Sequence, residues 1–476
     1  MNPAFWLVCA ALVAPVGLLS VCAFVGSQMK VVVVATNAST RFGGEAILPW
    51  HYFRLLRKRG VEAWLVAHER TQQELKALLP DEVDRMFFVP DRAPLMLLNK
   101  ICAVRVASIT IGWAVEIYTS WMLRKVVRDL VREHGVDVVH EPIPVSPRQP
   151  SLMYGVGAPV VIGPMNGGMN YPPGFGKSQG LFERWLTQAA RSASHALNAV
   201  FPGKRKAAVL LVANQRTRQA LPRGIAGEII ELVENGVDLS LFRRTEGSRS
   251  QSGAGRPRFA FVGRLIGWKG VDLLLNATAR AVRRHDLELH IIGDGAIRTQ
   301  LECLAAELGL GDRVVFHGFI SQDQCANFLA GFDALVLPSL YECGGAVVLE
   351  AMAMGLPVIA TRWGGPADYL DGSTGILIEP TGRESLINEM AFAMIRLAES
   401  PELRAELGQA ARTRVVAKFD WERKIDVILE VYARAAQNPS LAGSGSTVPR
   451  AGCSARSWGA CDNGLADSAG GTTSSS

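Results

Sequence analysis

Ten short, strand-like runs punctuate this chain, the first of them with an unbroken β-branched core, each separated from the next by a helical or loop stretch. The first five are MKVVVVATN, VEAWLVA, VDVVH, APVVIG and AAVLLVA; the second five are RFAFVG, LELHIIG, RVVFHG, DALVLP and PVIAT. An unbroken apolar run of this length reads as a strand buried on both faces, which is the habit of parallel sheets covered by crossover helices. The alternation therefore predicts an α/β chain with two Rossmann-like, doubly wound units. A Ser-, Gly- and Arg-rich stretch from Glu246 to Arg256 parts the two sets and reads as a flexible join.

The expected division is an apolar lead over 1–28, a first Rossmann-like unit over 29–245, a linker over 246–257 and a second unit over 258–418. A C-terminal helix over 419–436 and a Ser/Gly/Thr/Ala-rich tail over 437–476, read as disordered, complete it. In open parallel sheets ligands gather beyond the carboxyl ends of the strands, so two such sheets facing each other predict a site in the cleft between them.

The 476 residues give room for two or three domains, and a formal charge of +6 is mild for that length. It fits contact with phosphates or an anionic membrane surface and is too small to indicate nucleic acid, for which no recognition helix, zinc-finger spacing or ribonucleoprotein pattern is present. The eight cysteines form no CxxC pair, which reads as a reduced, cytosolic body without structural zinc. Residues 3–26 carry no charge and are long enough to cross a bilayer once, and the first cation after them is Lys30. That predicts a cytoplasmic protein at the cytoplasmic face of a membrane, with a single N-terminal anchor; a chain beginning at Met29 would lack the segment. The basic end of a long helical region over 93–133, with Arg124, Lys125, Arg128 and Arg132, is either a solvated face or a membrane-contact face.

Three constellations carry chemistry. In SLYECGGAVVLEAMAMGLPVIATRWGG a strand ends at Pro338 and a helix opens near Gly345, with Glu342 in the turn and Glu350 inside the helix. The unpaired amides and dipole of a helix start favour phosphate, and Gly344 and Gly345 allow the backbone to come close to it. A carboxylate at Glu350 can accept hydrogen bonds from two vicinal hydroxyls, as a ribose offers, and Glu342 is placed for hydroxyls at a sugar. In FVGRLIGWKGVD, Arg264 follows a strand and Lys269 stands at the next helix start, where a cation opposes the macrodipole. A bound anion offsets that cost, and two cations flanking a diphosphate stabilise it as a leaving group without a metal. Gly43 and Gly44, after the first strand, form a phosphate-tolerant turn; the absence of a full G-x-G-x-x-G lowers the case for NAD or FAD.

The order of these elements, GG after strand one, then G-R-L-x-x-x-K-G, then E-x7-E followed by A-M-A-x-G-x-P-V-I-A, resembles glycosyltransferase family 4 of the GT-B fold. NGVDLSLF and FDWERKIDVILEVY resemble it too, and the likeness spans roughly residues 30 to 436. The resemblance implies a retaining, metal-independent glycosyltransferase with no cofactor beyond its substrate, a nucleotide-diphosphate sugar, and with a glycan or lipid-linked acceptor. Arg264 and Lys269 would hold the diphosphate and Glu350 the ribose. Glu342 and the amides of Cys343, Gly344 and Gly345 would hold the transferred sugar. Gly318, Phe319 and Ile320 would lie along the base, and Gly43 and Gly44 would contact diphosphate or acceptor. The departing phosphate would take the acceptor proton.

Two departures stand out. Many relatives have a histidine after the strand that here reads APVVIG, whereas this chain continues GPMNGG. Asn166 in that segment, or His140 at the end of VDVVH, is a candidate for the acceptor or sugar side. ECGG also lacks the aromatic residue that often follows the first Glu. A GT-B nucleotide-sugar epimerase, or a non-catalytic nucleotide-sugar binding protein attached to a membrane, is the alternative to a transferase.

Overall fold

A computed structural model of the chain describes residues 29–41, 44–90, 105–178, 193–243 and 255–437. The apolar lead, Gly43, most of the join after Glu246 and the C-terminal tail lie outside the described residues. Two parallel sheets organise the rest. The first runs β1 (Lys30–Val34), β2 (Glu62–His68), β3 (Met86–Val89), β4 (Val138–Glu141), β5 (Val160–Met165), β6 (Val209–Val212) and β7 (Glu228–Glu231), in the spatial order β3-β2-β1-β4-β5-β6-β7. The second runs β8 (Arg258–Val262), β9 (Glu288–Ile292), β10 (Val314–Gly318), β11 (Ala334–Leu337), β12 (Val358–Thr361) and β13 (Gly375–Ile378), in the order β10-β9-β8-β11-β12-β13.

The continuous apolar runs have the expected physical cause. On β1, Val31 and Val33 join one core cluster with Leu65, Val161 and Leu211, while Val32 and Val34 join another with Val66, Ile162 and Leu210. Successive side chains of a strand point to opposite faces, so a strand covered on both sides must be apolar at every position. The helix Arg105–His134 covers one face through Leu123, Val127 and Leu130. The other face is covered by the helix Leu48–Lys58 and, from the far end of the chain, by the helix Trp421–Gln437 through Trp421, Ile425, Ile428 and Tyr432. The chain thus returns to its first lobe after building the second.

In both sheets the strand order reverses beside the first strand of the lobe: at β1/β4 in one and at β8/β11 in the other. Loops diverge to opposite sides there, and the crevice they leave is where such sheets bind ligands.

The expectation of a membrane location is corrected. Among the described residues, no helix is long and apolar enough to cross a membrane. The basic helix end is also partly consumed by packing: Arg124 donates to the Tyr154 carbonyl at 2.7 and 3.0 Å and lies 4.3 Å from the Tyr154 ring centroid.

Candidate active site

The switch point of the second sheet is where the candidate residues converge. After β8 the chain passes exposed Arg264, is pinned by buried Leu265, and makes a short 3-10 turn over Gly267–Lys269. Lys269 is therefore one residue short of the helix Val271–Ala281, not within it; Gly270 intervenes at φ +67°. A side chain at Gly270 would come within 2.5 Å of the Pro338 carbonyl at the end of β11. Only glycine allows that approach, and it brings Lys269 against the Ser339–Gly345 loop. The Leu340 amide donates to the Trp268 carbonyl at 2.8 Å, tying the two loops together.

Within this loop pair the Lys269 ammonium and the Glu342 carboxylate form an ion pair, and the Ser339 hydroxyl donates to the same Glu342 oxygen at 3.1 Å. Arg264, exposed just past β8, has no hydrogen-bond or ion-pair partner for its side chain among the described residues. Gly345, at φ +83°, caps the helix Ala346–Ala353 without any side-chain cap; the Val348 amide turns back to the Gly345 carbonyl at 2.9 Å, and the amides of Ala346 and Val347 ahead of it have no side-chain cap. Glu350 lies further along the same helix. It accepts from Gln322 Nε2 at 3.0 Å, and burial pushes its carboxyl up to about 7. Gly318, at φ +73°, ends β10 at the sheet edge, two strands from β8, and exposed Phe319 and half-buried Ile320 follow it.

Gly344 has a different reason for being glycine than ligand approach alone. A Cβ there would meet Asn235 Nδ2 at 2.3 Å and Glu234 Oε1 at 2.4 Å, both from the segment that leaves the first lobe. Behind it, a Cβ at Gly365 would sit 1.9 Å from the Gly344 carbonyl oxygen. The glycine cluster is packed backbone to backbone and against the neighbouring lobe.

That contact belongs to a polar seam joining the lobes. Buried Asn166 donates to Glu234 Oε1 at 2.9 Å and to the Cys343 carbonyl at 2.6 Å, and accepts from Arg216 at 3.1 Å. Asn214 donates to Asp368 at 2.8 Å, and the Trp363 indole to the Asn170 carbonyl at 2.8 Å. Lys424 closes the seam from the last helix by donating to the carbonyls of Val233, Glu234 and Asn235 at 2.6, 2.9 and 2.6 Å. Burial pushes Glu234 up and Lys424 down. Arg216 and Asp368 stand out nowhere in the sequence; NGVDLSLF, which begins just after Glu234, and FDWERKIDVILEVY, which contains Lys424, marked the neighbourhood without marking the role.

Two of the sequence candidates are reassigned by their surroundings. His140 is not on a cleft wall. It is fully buried in β4, with Nε2 at 2.6 Å from the Gly163 carbonyl and Nδ1 at 2.6 Å from the Tyr432 hydroxyl, and burial lowers its pKa to about 4. Both nitrogens are spent on tying β4 to β5 and to the last helix. Asn166 lines the cleft, but both its donor hydrogens are committed to the seam. Gly44, at φ +59°, opens a 3-10 turn over Gly44–Ile47 and delivers Glu45 into the cleft.

The cleft holds a cavity of about 600 Å³, lined by Asn166, Met169 and Tyr171 from one lobe and Trp268, Tyr341 and Cys343 from the other. Arg264 and Glu350 do not line it; Lys269 and Glu342 adjoin it through their neighbours. A second cavity of about 420 Å³ shares Glu45 and Gln149 with the first and lies over the β1/β4 switch point. Among the described residues no group of three metal-ligating side chains comes together.

Fold and site together define the two-lobed GT-B architecture. Residues 243–414 match the family Glycosyl transferases group 1. Among curated proteins, the chain is 33% identical over 263 residues to an alpha-D-kanosaminyltransferase of Streptomyces kanamyceticus, covering 53% of this chain and 65% of that one. It is 34% identical over 213 residues to a D-inositol 3-phosphate glycosyltransferase of an Arthrobacter species, covering 43% and 49%. The match thus spans about half to two thirds of these relatives' length. Among solved structures, a glycosyltransferase from Rickettsia africae superposes with a TM-score of 0.61 at 18% identity, covering 86% of this chain and all of that one. Anabaena HepE in complex with UDP and glucose gives 0.57 at 20% identity, covering 85% and 100%. These likenesses establish a GT-B fold related to several sugar transferases.

Proposed function

We propose that the protein is a retaining glycosyltransferase of the family 4 type, moving a sugar from a nucleotide-diphosphate donor to a glycan or lipid-linked acceptor. What carries this reading is the convergence of Arg264, Lys269, Glu342 and the uncapped helix start at the β8/β11 switch point, inside the segment that matches the transferase family. Cations and free amides at one spot suit a diphosphate, and the charge they neutralise is the charge that grows on a leaving nucleotide. Glu350 takes the ribose, and Glu342, with the amides after it, takes the sugar. Gly318 to Ile320 flank the base. The relatives that act on inositol phosphate and on an amino sugar support the reaction class. In the division that fits this reading, residues 29–245 serve the acceptor and 258–418 the donor.

The lone pair of the acceptor hydroxyl attacks the anomeric carbon from the face the diphosphate leaves. The bond from that carbon to the diphosphate breaks, and the departing phosphate oxygen takes the hydroxyl proton. No strong protein base is needed, in keeping with the engagement of both His140 nitrogens. The test is incubation with radiolabelled nucleotide sugars and a cell extract, with and without EDTA. Transfer that survives chelation supports the reading. Isomerised free donor, binding without turnover, or full reversible loss on chelation overturns it.

A further inference from the structure

The donor reading uses one switch point and leaves the other unassigned. The smaller cavity lies over β1/β4: Thr36 and Asn37 follow β1, Ile143 and Pro144 follow β4, and all four line it. Its charged lining consists of Glu45, Arg70 and Glu116. Glu116 reaches in from the helix Arg105–His134, bonded by Thr36, and burial raises its pKa. Glu45 projects from the turn behind Gly44 and accepts from the Val145 amide at 3.1 Å, which places it between the two cavities. Arg70 is partly committed, its Nε donating to His68 Nδ1 at 3.1 Å. Arg148, on the wall of the neighbouring cavity, has a partner of its own.

We propose that this cavity receives an uncharged, hydroxyl-rich acceptor ring, held by the carboxylates of Glu45 and Glu116, and that it discriminates against phosphate-bearing acceptors. The inference rests on the transferase reading and adds the acceptor's class to it. Two carboxylates offer acceptor oxygens on either side of a ring, which is what hydroxyl donors need. Asn37 and Gln149 supply both donors and acceptors at the rim. A phosphate here would face two carboxylates, with one partly engaged guanidinium to offset them. Juxtaposed like charges are how a site rejects a wrong partner. The cavity of about 420 Å³ shares Glu45 and Gln149 with the 600 Å³ cleft, whose other wall carries Tyr341 and Cys343 on either side of Glu342.

The experiment is a binding titration of neutral methyl glycosides and inositol against hexose phosphates and inositol phosphate, on the full chain saturated with a nucleoside diphosphate. The wild type should bind the best neutral compound about tenfold or more tightly than its phosphate ester. The double variant Glu45→Gln, Glu116→Gln should narrow that ratio about tenfold, while nucleoside diphosphate still raises its melting temperature as in the wild type. Tighter or equal binding of the phosphate esters, no binding by any neutral compound, or an unchanged ratio in the double variant overturns the assignment. Should nucleoside diphosphates fail to bind at all, the donor reading falls, and the titration repeated without nucleotide still decides the cavity.

Discussion

Replacing Asn166 by alanine tests whether the lobes are held by the seam or merely lie near each other. The side chain is 2% exposed and donates to two acceptors in different parts of the chain, a carboxylate oxygen of Glu234 and the backbone carbonyl of Cys343. A hydrogen bond to a charged group contributes about 1.5–3 kcal/mol and a neutral one about 0.5–1.5 kcal/mol. The two donated bonds therefore give an expected loss of about 2–4 kcal/mol, and the bond accepted from the partly exposed Arg216 adds to it. The upper end is favoured because the other Glu234 oxygen already lacks a partner and the Cys343 carbonyl would be left without Asn166. The loss should appear in urea unfolding followed by tryptophan fluorescence. Because Cys343 adjoins Glu342, the same change should loosen the loop that carries the sugar contacts, and kcat/KM for the donor should fall about tenfold. Asn214→Ala is the comparison variant. It removes the bond to Asp368 and also the helix-capping bonds that the Asn214 side chain accepts from the Thr217 amide and hydroxyl at 2.9 and 2.8 Å, and should cost about 1–3 kcal/mol. If Asn166→Ala unfolds at the wild-type midpoint, the seam does not hold the lobes.

Lys269→Ala should lower turnover by orders of magnitude with a smaller effect on donor affinity, since it removes charge from beside the leaving group; single-turnover kinetics separates the two. Glu350 has a ligand-free pKa raised to about 7, so donor binding that needs its carboxylate should weaken as pH falls below about 7, approaching tenfold per unit. Calorimetric titration of nucleoside diphosphate from pH 8 to 5.5 measures this, and Glu350→Gln should flatten the profile. The sign for stability is opposite: a carboxyl raised by burial stabilises the free fold most fully below its unfolded value and loses that contribution as pH rises through about 7. Lys424→Met leaves three buried carbonyls without their donor and Glu234 without its nearby cation; a loss of about 3–5 kcal/mol is expected by denaturant unfolding.

What could be read from the sequence was whatever local chemistry dictates. The ten runs each became a strand; where burial covers both faces, as in β1, β6, β11 and β12, it leaves an unbroken apolar signature in a few residues. Three strands were missed for the converse reason. β7, EIIE, is an edge strand with exposed glutamates at both ends, and β3 and β13 are short and only partly buried. The Arg264–Lys269 and Glu342–Glu350 stretches were legible because each is a strand end, a glycine turn and a helix start in series. The seam was not, since its bonds join residues far apart in the chain, such as Asn166 to Cys343 across 177 positions. His140 misled for the same reason: as a strand-end histidine it pointed toward the cleft, while its partner Tyr432 lies 292 residues away.

The pairing of Lys269 with Glu342 gives the proposed chemistry its economy of charge. Both side chains are largely shielded, at 16% and 13% exposure, and an isolated charge so placed would be costly. In the ligand-free protein each neutralises the other. A donor that brings a diphosphate to Lys269 and hydroxyls to Glu342 exchanges both partners at once, so neither group passes through an unpaired state. On this proposal Arg264, exposed and without a side-chain partner among the described residues, would meet the diphosphate first and draw it toward the buried pair. A nucleoside diphosphate lacking the sugar can satisfy Lys269 but leaves Glu342 without its replacement partner. The full nucleotide sugar should therefore gain affinity over the bare diphosphate in wild type and lose that gain in Glu342→Gln, where position 342 carries no charge and the diphosphate alone satisfies Lys269.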